Sequence, residues 1–193
     1  MRRRLDIRPL TEETWPDLAA LFDEGGDPKW CWCAYWRVRA RDFSVSGRAE
    51  NRERLRTLAG RSPAPGLVAY RDGRAVGWVG LGPRADFERL VRSKTLLPID
   101  DRPVWSIVCF VVSRPARRSG VARALLDAAV AYARDHGAPA VEGYPIDTGG
   151  ARTQSAWLYT GTLSMFAAAG FRIAGWSIPV GQSKLRPIVR LDL

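Results

Sequence analysis

The 193-residue chain is 46% hydrophobic, holds eight tryptophans and carries a formal net charge of +10. That length and apolar content suit one good-sized core and exclude a disordered tail, and no apolar run approaches the ~20 residues needed to cross a bilayer. The arginine excess leaves a nucleic-acid or acidic partner open without requiring one, because the arginines are scattered and form no basic tract.

The opening Met1-Arg-Arg-Arg-Leu-Asp-Ile-Arg8 is basic but has no apolar block behind it. It is not read as a secretory signal, and a cytoplasmic location is expected. Residues 5–9 alternate as a short strand. Thr11 is expected to cap a helix bearing Trp15, Leu18, Leu21 and Phe22, with Glu12, Glu13 and Pro16 early in it. Gly25-Gly-Asp-Pro28 breaks that helix. Residues 29–37, Lys-Trp-Cys-Trp-Cys-Ala-Tyr-Trp-Arg, read as an aromatic loop. Ser46 to Ala59 predicts a charged, exposed helix with Leu55 and Leu58 inward.

Residues 67–70 and 75–81 flank Asp72-Gly73 and form a β-hairpin, since Asp-Gly favours the primed turn that matches strand twist. A loop follows over 83–101, with a short helix around Phe87, Leu90 and Val91. The run from Val104 to Ser113 is a β-branched strand, and a helix begins at Val121 with Leu125, Ala128 and Tyr132 on one face. Gly137 stops it, and residues 140–144 form the next strand. A polar, Gly-rich loop spans 145–155, and strands near 171–178 and 187–191 complete the pattern. Roughly six or seven strands and about four helices make an α/β (α+β) domain over residues 1–193, with one mixed central sheet.

Cys31, Cys33 and Cys109 lack the spacing of a disulfide framework, and with His136 they lack that of a zinc site, so no metal is expected. Cys109 reads as a core residue, and Cys31 and Cys33 as soft wall residues beside the tryptophans. His136 ends a helix, where a histidine meets terminal carbonyls.

Between the Val104–Ser113 strand and the following helix lies Arg114-Pro-Ala-Arg-Arg-Ser-Gly-Val-Ala122. A helix start exposes unpaired N–H groups and favours anions such as phosphate. The spacing Arg117-x-x-Gly120-x-Ala122, directly after a strand, resembles the acyl-coenzyme A signature of the GNAT superfamily of N-acyltransferases, Gln/Arg-x-x-Gly-x-Gly/Ala. Thr162-Leu-Ser-Met-Phe-Ala-Ala-Ala-Gly-Phe171 resembles the same superfamily's last helix running into its Gly-Phe strand start.

The resemblance implies acetyl-coenzyme A as acyl donor and a small-molecule or peptide primary amine as acceptor, joined by direct attack in a ternary complex. It puts the pantetheine arm and thioester against Phe110, Val111 and Val112. The pyrophosphate falls on the backbone of Arg117, Arg118, Ser119, Gly120, Val121 and Ala122, where Gly120 permits close approach and the arginines add charge. Many members carry a basic Glu on the strand before the signature; this chain has Ser106. Another branch, which includes ribosomal-protein N-terminal acetyltransferases, uses a Glu on the following strand, matched by Glu142. That residue reads equally as a general base or as a carboxylate paired with an arginine. The superfamily's usual acid is a Tyr where this chain has Phe166, which cannot donate a proton. Either another hydroxyl serves, with Tyr159 and Ser164 in range along the chain, or no acid is needed because a thiolate is an adequate leaving group. Tyr159 falls at a position that often contacts the cofactor.

The segment with Trp30, Trp32, Tyr35 and Trp36 corresponds to the superfamily's acceptor side. It either stacks on an apolar or cationic amine or packs as a satellite core. Asp86 and Asp147 are further candidates for holding an ammonium group. Two other readings stand beside the transferase. The vacancies at Ser106 and Phe166 fit an acyl-coenzyme A binding regulatory module without catalysis, and the basic charge fits an aminoacyl-tRNA-acetylating toxin. The superfamily's C-terminal strands leave a homodimer open.

Overall fold

The computed structural model describes residues 5–24, 28–151, 158–181 and 184–193. Strands β1 (Asp6–Pro9), β2 (Gly66–Arg71), β3 (Arg74–Pro83), β4 (Trp105–Val112), β5 (Ala140–Gly143), β6 (Arg172–Trp176) and β7 (Pro187–Asp192) form one sheet, in the order β1-β2-β3-β4-β5-β7-β6. The β4–β5 pair is parallel and the other pairs are antiparallel, so the sheet is mixed.

Eight α-helices occur among the described residues: α1 (Trp15–Asp23), α2 (Pro28–Cys31), α3 (Ala34–Arg37), α4 (Ala40–Val45), α5 (Arg48–Leu58), α6 (Glu88–Val91), α7 (Val121–Asp135) and α8 (Leu163–Ala168). The excess over the expected four comes mainly from the aromatic segment and its continuation, which form α2, α3 and α4 instead of a loop. Each is four to six residues long, too short to display a helical period in sequence. The break expected at 25–27 lies outside the described residues, as do positions 152–157 of the polar loop.

Alternation along the strands sorts the core into two layers. Leu67 and Ala69 of β2 face the α7 side, where Val121, Leu125, Ala129 and Ala133 pack against Val79, Ile107 and Phe110. Val68 and Tyr70 face the opposite side, with Leu18 and Phe22 of α1, Leu55 of α5, and Trp78 and Val108. Trp32 is fully buried in that second layer, its ring 5.8 Å from Trp15 and 5.2 Å from Phe22. Removing such a side chain costs about 3–5 kcal/mol. Trp32 and Cys33 both take positive φ, 44° and 51°, which turns the chain sharply between α2 and α3 and drives the indole inward.

The start of α1 differs from expectation. The helix begins at Trp15 with Thr14 as its N-cap residue, and Thr11 belongs to the turn before it. Thr11 N–H donates to Thr14 Oγ1 at 2.9 Å, and Thr14 Oγ1 donates to the Pro9 carbonyl at 3.1 Å. The threonine pair thus ties β1 to α1 and leaves the first helical N–H groups without a side-chain cap.

Candidate functional site

Strands β4 and β5 pair only from Trp105 to Ile107 and Val141 to Gly143. Beyond that point β5 ends and β4 continues to Val112, so one edge of β4 opens onto a cleft of about 830 Å³. Cys109, Phe110, Val111 and Val112 of β4 line it with Arg117, Ala122 and Tyr159, and Cys31 and Tyr35 come from the aromatic segment. Successive amides of a strand point to opposite edges. Ser113 N–H bonds the Val76 carbonyl at 3.0 Å, so the Ser113 and Val111 amides face β3, and those of Phe110 and Val112 face the cleft. Phe110 N–H is already taken by the Tyr159 carbonyl at 2.6 Å. Of the three amides expected to meet the thioester, Val112 faces the opening with no such engagement among the described residues.

The turn after β4 prepares a helix start. Arg118 and Gly120 take φ of 58° and 87°, and α7 follows directly. Its first intrahelical bond is Ala124 N–H to the Gly120 carbonyl at 3.0 Å. The N–H groups of Val121, Ala122 and Arg123 therefore fall outside the helical ladder. A Cβ built at Gly120 meets nothing within 4 Å, so the approach to these amides is open. Ser119 Oγ donates to the Ala116 carbonyl at 2.7 Å and accepts from Arg71 at 2.9 Å, which fixes the turn. Arg117 Nε donates to the Val112 carbonyl at 3.2 Å and lies along the cleft rim. The Val121 side chain is buried beneath the turn, so this residue offers the cleft only its backbone. The open volume, the amides and Arg117 together fit an extended, phosphate-bearing acyl carrier, while Arg118 is not among the described lining residues.

The arrangement around Glu142 is the paired one. Glu142 is 1% exposed, and its Oε1 accepts from Arg190 at 2.7 and 3.1 Å. Tyr144 donates to its Oε2 at 3.2 Å, so Ser106, 2.9 Å from the Tyr144 oxygen, donates to Tyr144. Arg190 also holds Asp100 at 3.1 Å, and the two carboxylates push its guanidinium further above its usual range. Pairing β5 with β7 sets Glu142 opposite Arg190 in register. The carboxylate lines neither the cleft nor the neighbouring pocket, so it is not placed to accept a proton from a bound amine. Arg190 was not legible as its partner because 48 residues separate them.

Phe166 is fully buried between Phe110 and Phe171, at ring distances of 6.2 and 4.9 Å. A Cβ on Gly143 would fall 2.4 Å from its ring. The position that holds an acid elsewhere in the superfamily is here a core aromatic. Tyr159 does stand at the cleft, and burial pushes its phenol up to about 12.

A second pocket of about 720 Å³ adjoins the first, and Tyr35 and Tyr159 line both. Their rings meet edge to face at 6.4 Å. Trp36 stacks on Tyr144 at 6.2 Å and forms part of this pocket's wall. Trp32 is in the core and Trp30, 65% exposed, lines neither cavity, so the aromatic segment divides between pocket, core and surface. Asp147 accepts from Gly149 N–H at 2.9 Å and Asp86 pairs with Arg61 at 2.9 Å; neither lines the pocket. Instead Arg39, Arg41, Arg89, Arg92 and Arg186 do. These five converge from α3–α4, α6 and the stretch before β7, a grouping with no sequence signal. Among the described residues no cluster of three or more His, Cys, Asp or Glu forms a metal site.

Residues 12–148 match the model of the acetyltransferase (GNAT) family. No curated protein matches the chain. Among solved structures, the ribosomal-protein-alanine N-acetyltransferase of Brucella melitensis is 20% identical with a TM-score of 0.57, over 97% of this chain and 99% of that one. A polyamine N-acetyltransferase of Drosophila melanogaster that forms N-acetylagmatine is 13% identical, TM-score 0.58, over 98% and 100%. The PaiA N-acetyltransferase of Thermoplasma acidophilum, solved with coenzyme A, is 14% identical, TM-score 0.55, over 98% and 99%. At these identities the likeness is one of fold.

Proposed function

Because the chain belongs to the acetyltransferase (GNAT) family, we propose that it transfers acetyl from acetyl-coenzyme A to a primary amine, by direct attack in a ternary complex. The observation that carries this reading is Tyr159, which lines both the cleft beside β4 and the adjoining pocket. A donor in the first and an amine in the second meet at that residue. The coenzyme A complex of the Thermoplasma enzyme, a protein of the same fold, supports the choice of donor.

Bound acetyl-coenzyme A supplies an activated thioester carbonyl. The α7 N–H groups and Arg117 hold its phosphates. The Val112 N–H, aimed into the cleft, donates to the carbonyl oxygen as negative charge builds there. Tyr159 stays protonated at neutral pH, since its phenol titrates near 12. Its hydroxyl passes a proton to the departing sulfur and takes one from the amine nitrogen, which balances the exchange. The arginines of the pocket disfavour a second positive charge beside them, so the amine is held neutral without a dedicated carboxylate base. Those arginines also argue against carrying over the cationic acceptor of the agmatine-forming neighbour. Release of free thiol from acetyl-coenzyme A, dependent on an added amine, tests the proposal. Acetyl-coenzyme A binding without turnover of any amine would leave the regulatory-module reading in its place.

A further inference from the structure

The pocket beside Tyr159 is basic to a degree that its own carboxylates do not offset. Arg39, Arg41, Arg89, Arg92 and Arg186 line it, and no Asp or Glu is among its described lining residues. Behind the wall, Glu88 is shared by Arg39 and Arg92 at 2.6 and 2.9 Å, and Asp42 stands 3.5 Å from Arg41. Two carboxylates thus face five guanidinium groups. Among the described residues, Arg89 meets the Tyr35 carbonyl and the rings of Tyr35 and Phe43, at 3.9 and 5.7 Å, and Arg186 meets the Tyr144 carbonyl at 3.3 Å. Carbonyls and rings orient a guanidinium without neutralising it.

Like charges brought together in a concave site repel, and the low-dielectric walls strengthen the field they project. Such a cluster matches an oxyanion, because the guanidinium fork pairs with carboxylate or phosphate in two parallel bonds. A cationic ligand there would meet uncompensated repulsion. Tyr35, Trp36 and Tyr159 supply an apolar wall, and the buried indole N–H of Trp36 has no protein acceptor among the described residues. The volume of about 720 Å³ is that of a small-molecule site.

We propose that the acceptor is a small primary amine that also carries an oxyanion, a carboxylate or a phosphate, and that the arginine cluster grips this group while the amine points toward Tyr159. The inference rests on the transferase reading for the identity of the pocket as the acceptor side. Arg89 and Arg186 are the specificity-determining residues, with Arg41 as the outer member.

Three amines of similar length separate the outcomes: putrescine, γ-aminobutyrate and aminopropyl phosphate. Binding to the full chain in the presence of coenzyme A is measured by calorimetry, and turnover separately by thiol release with acetyl-coenzyme A. The anionic amines bind on the order of tenfold or more tighter than putrescine, and the better of the two identifies the oxyanion. Arg186→Gln and Arg41→Glu each erode that preference several-fold. The Arg41 side chain is 75% exposed, so its variant keeps the test independent of folding. Equal or tighter binding of putrescine overturns the inference, as does binding of none of the three, or a preference unchanged in both variants. An oxyanion preference in binding with no thiol release from any amine upholds the inference about the pocket and overturns the transferase reading.

Discussion

The Tyr159 carbonyl accepts the Phe110 amide at 2.6 Å across the gap where β5 has ended. This single bond fastens the chain just before α8 to the open edge of β4. It sets the Tyr159 ring at the boundary of the two cavities and leaves Val112 as the next amide facing the cleft. The bond involves only the backbone of Tyr159, so the side chain can be altered without releasing it.

Tyr159→Phe therefore separates proton transfer from structure. The variant keeps the ring and its contact with Tyr35 and loses only the hydroxyl. Its kcat falls by about a hundredfold or more while the KM for acetyl-coenzyme A changes little. Steady-state kinetics checks this, and an unaltered kcat removes Tyr159 from the chemistry.

The pH profile carries a related expectation. Burial raises Tyr159 to about 12, so its protonated form persists well past neutrality. A proton donor is lost only above its own pKa, so no falling limb of kcat due to Tyr159 appears below about pH 11. A limb near 10, the ordinary phenol value, would mean that the working tyrosine is a solvated one.

Glu142→Gln tests stability against catalysis. Breaking a buried ion pair from one side leaves the other charge uncompensated, at a cost of about 3–5 kcal/mol. Arg190 keeps Asp100, which softens the loss. Thermal unfolding shows a clear fall in Tm, and kcat per folded molecule stays within a few-fold of the parent. A kcat collapse at unchanged Tm would instead make Glu142 the base.

Gly143→Ala places a methyl 2.4 Å from the Phe166 ring, with that ring wedged against Phe110 and Phe171. Overpacking of this kind costs about 1–3 kcal/mol. Because Phe110 backs the cleft, acetyl-coenzyme A affinity weakens along with Tm. Chemical denaturation and calorimetry on the same variant check both.

Local signals were readable and distant ones were not. The hairpin at Asp72-Gly73 and the strand–turn–helix around Gly120 rest on turn chemistry within a few residues, and both stand as expected in the fold. Trp32 and Trp36 looked alike in sequence and both are buried in one core layer, yet only Trp36 also lines the pocket, because the positive φ of Trp32 and Cys33 turns the chain after Trp32. The Glu142–Arg190 pair and the five pocket arginines depend on which strands and helices become neighbours, and no local pattern encodes that. Thr11 carried a capping signal, but Thr14 occupies the cap position and spends its hydroxyl on Pro9.

On the proposed function, acetyl-coenzyme A occupies the cleft beside β4 with its phosphates on the N-terminus of α7. Calorimetric titration of the parent protein beside Gly120→Ala and Gly120→Glu tests it most directly. Both variants force a side chain into φ of 87°, so they share the backbone strain, and they differ by a carboxylate pointed into open space. The parent binds, the Ala variant binds more weakly and the Glu variant does not bind. Absence of binding by the parent, or equal affinity of the two variants, would contradict that proposal.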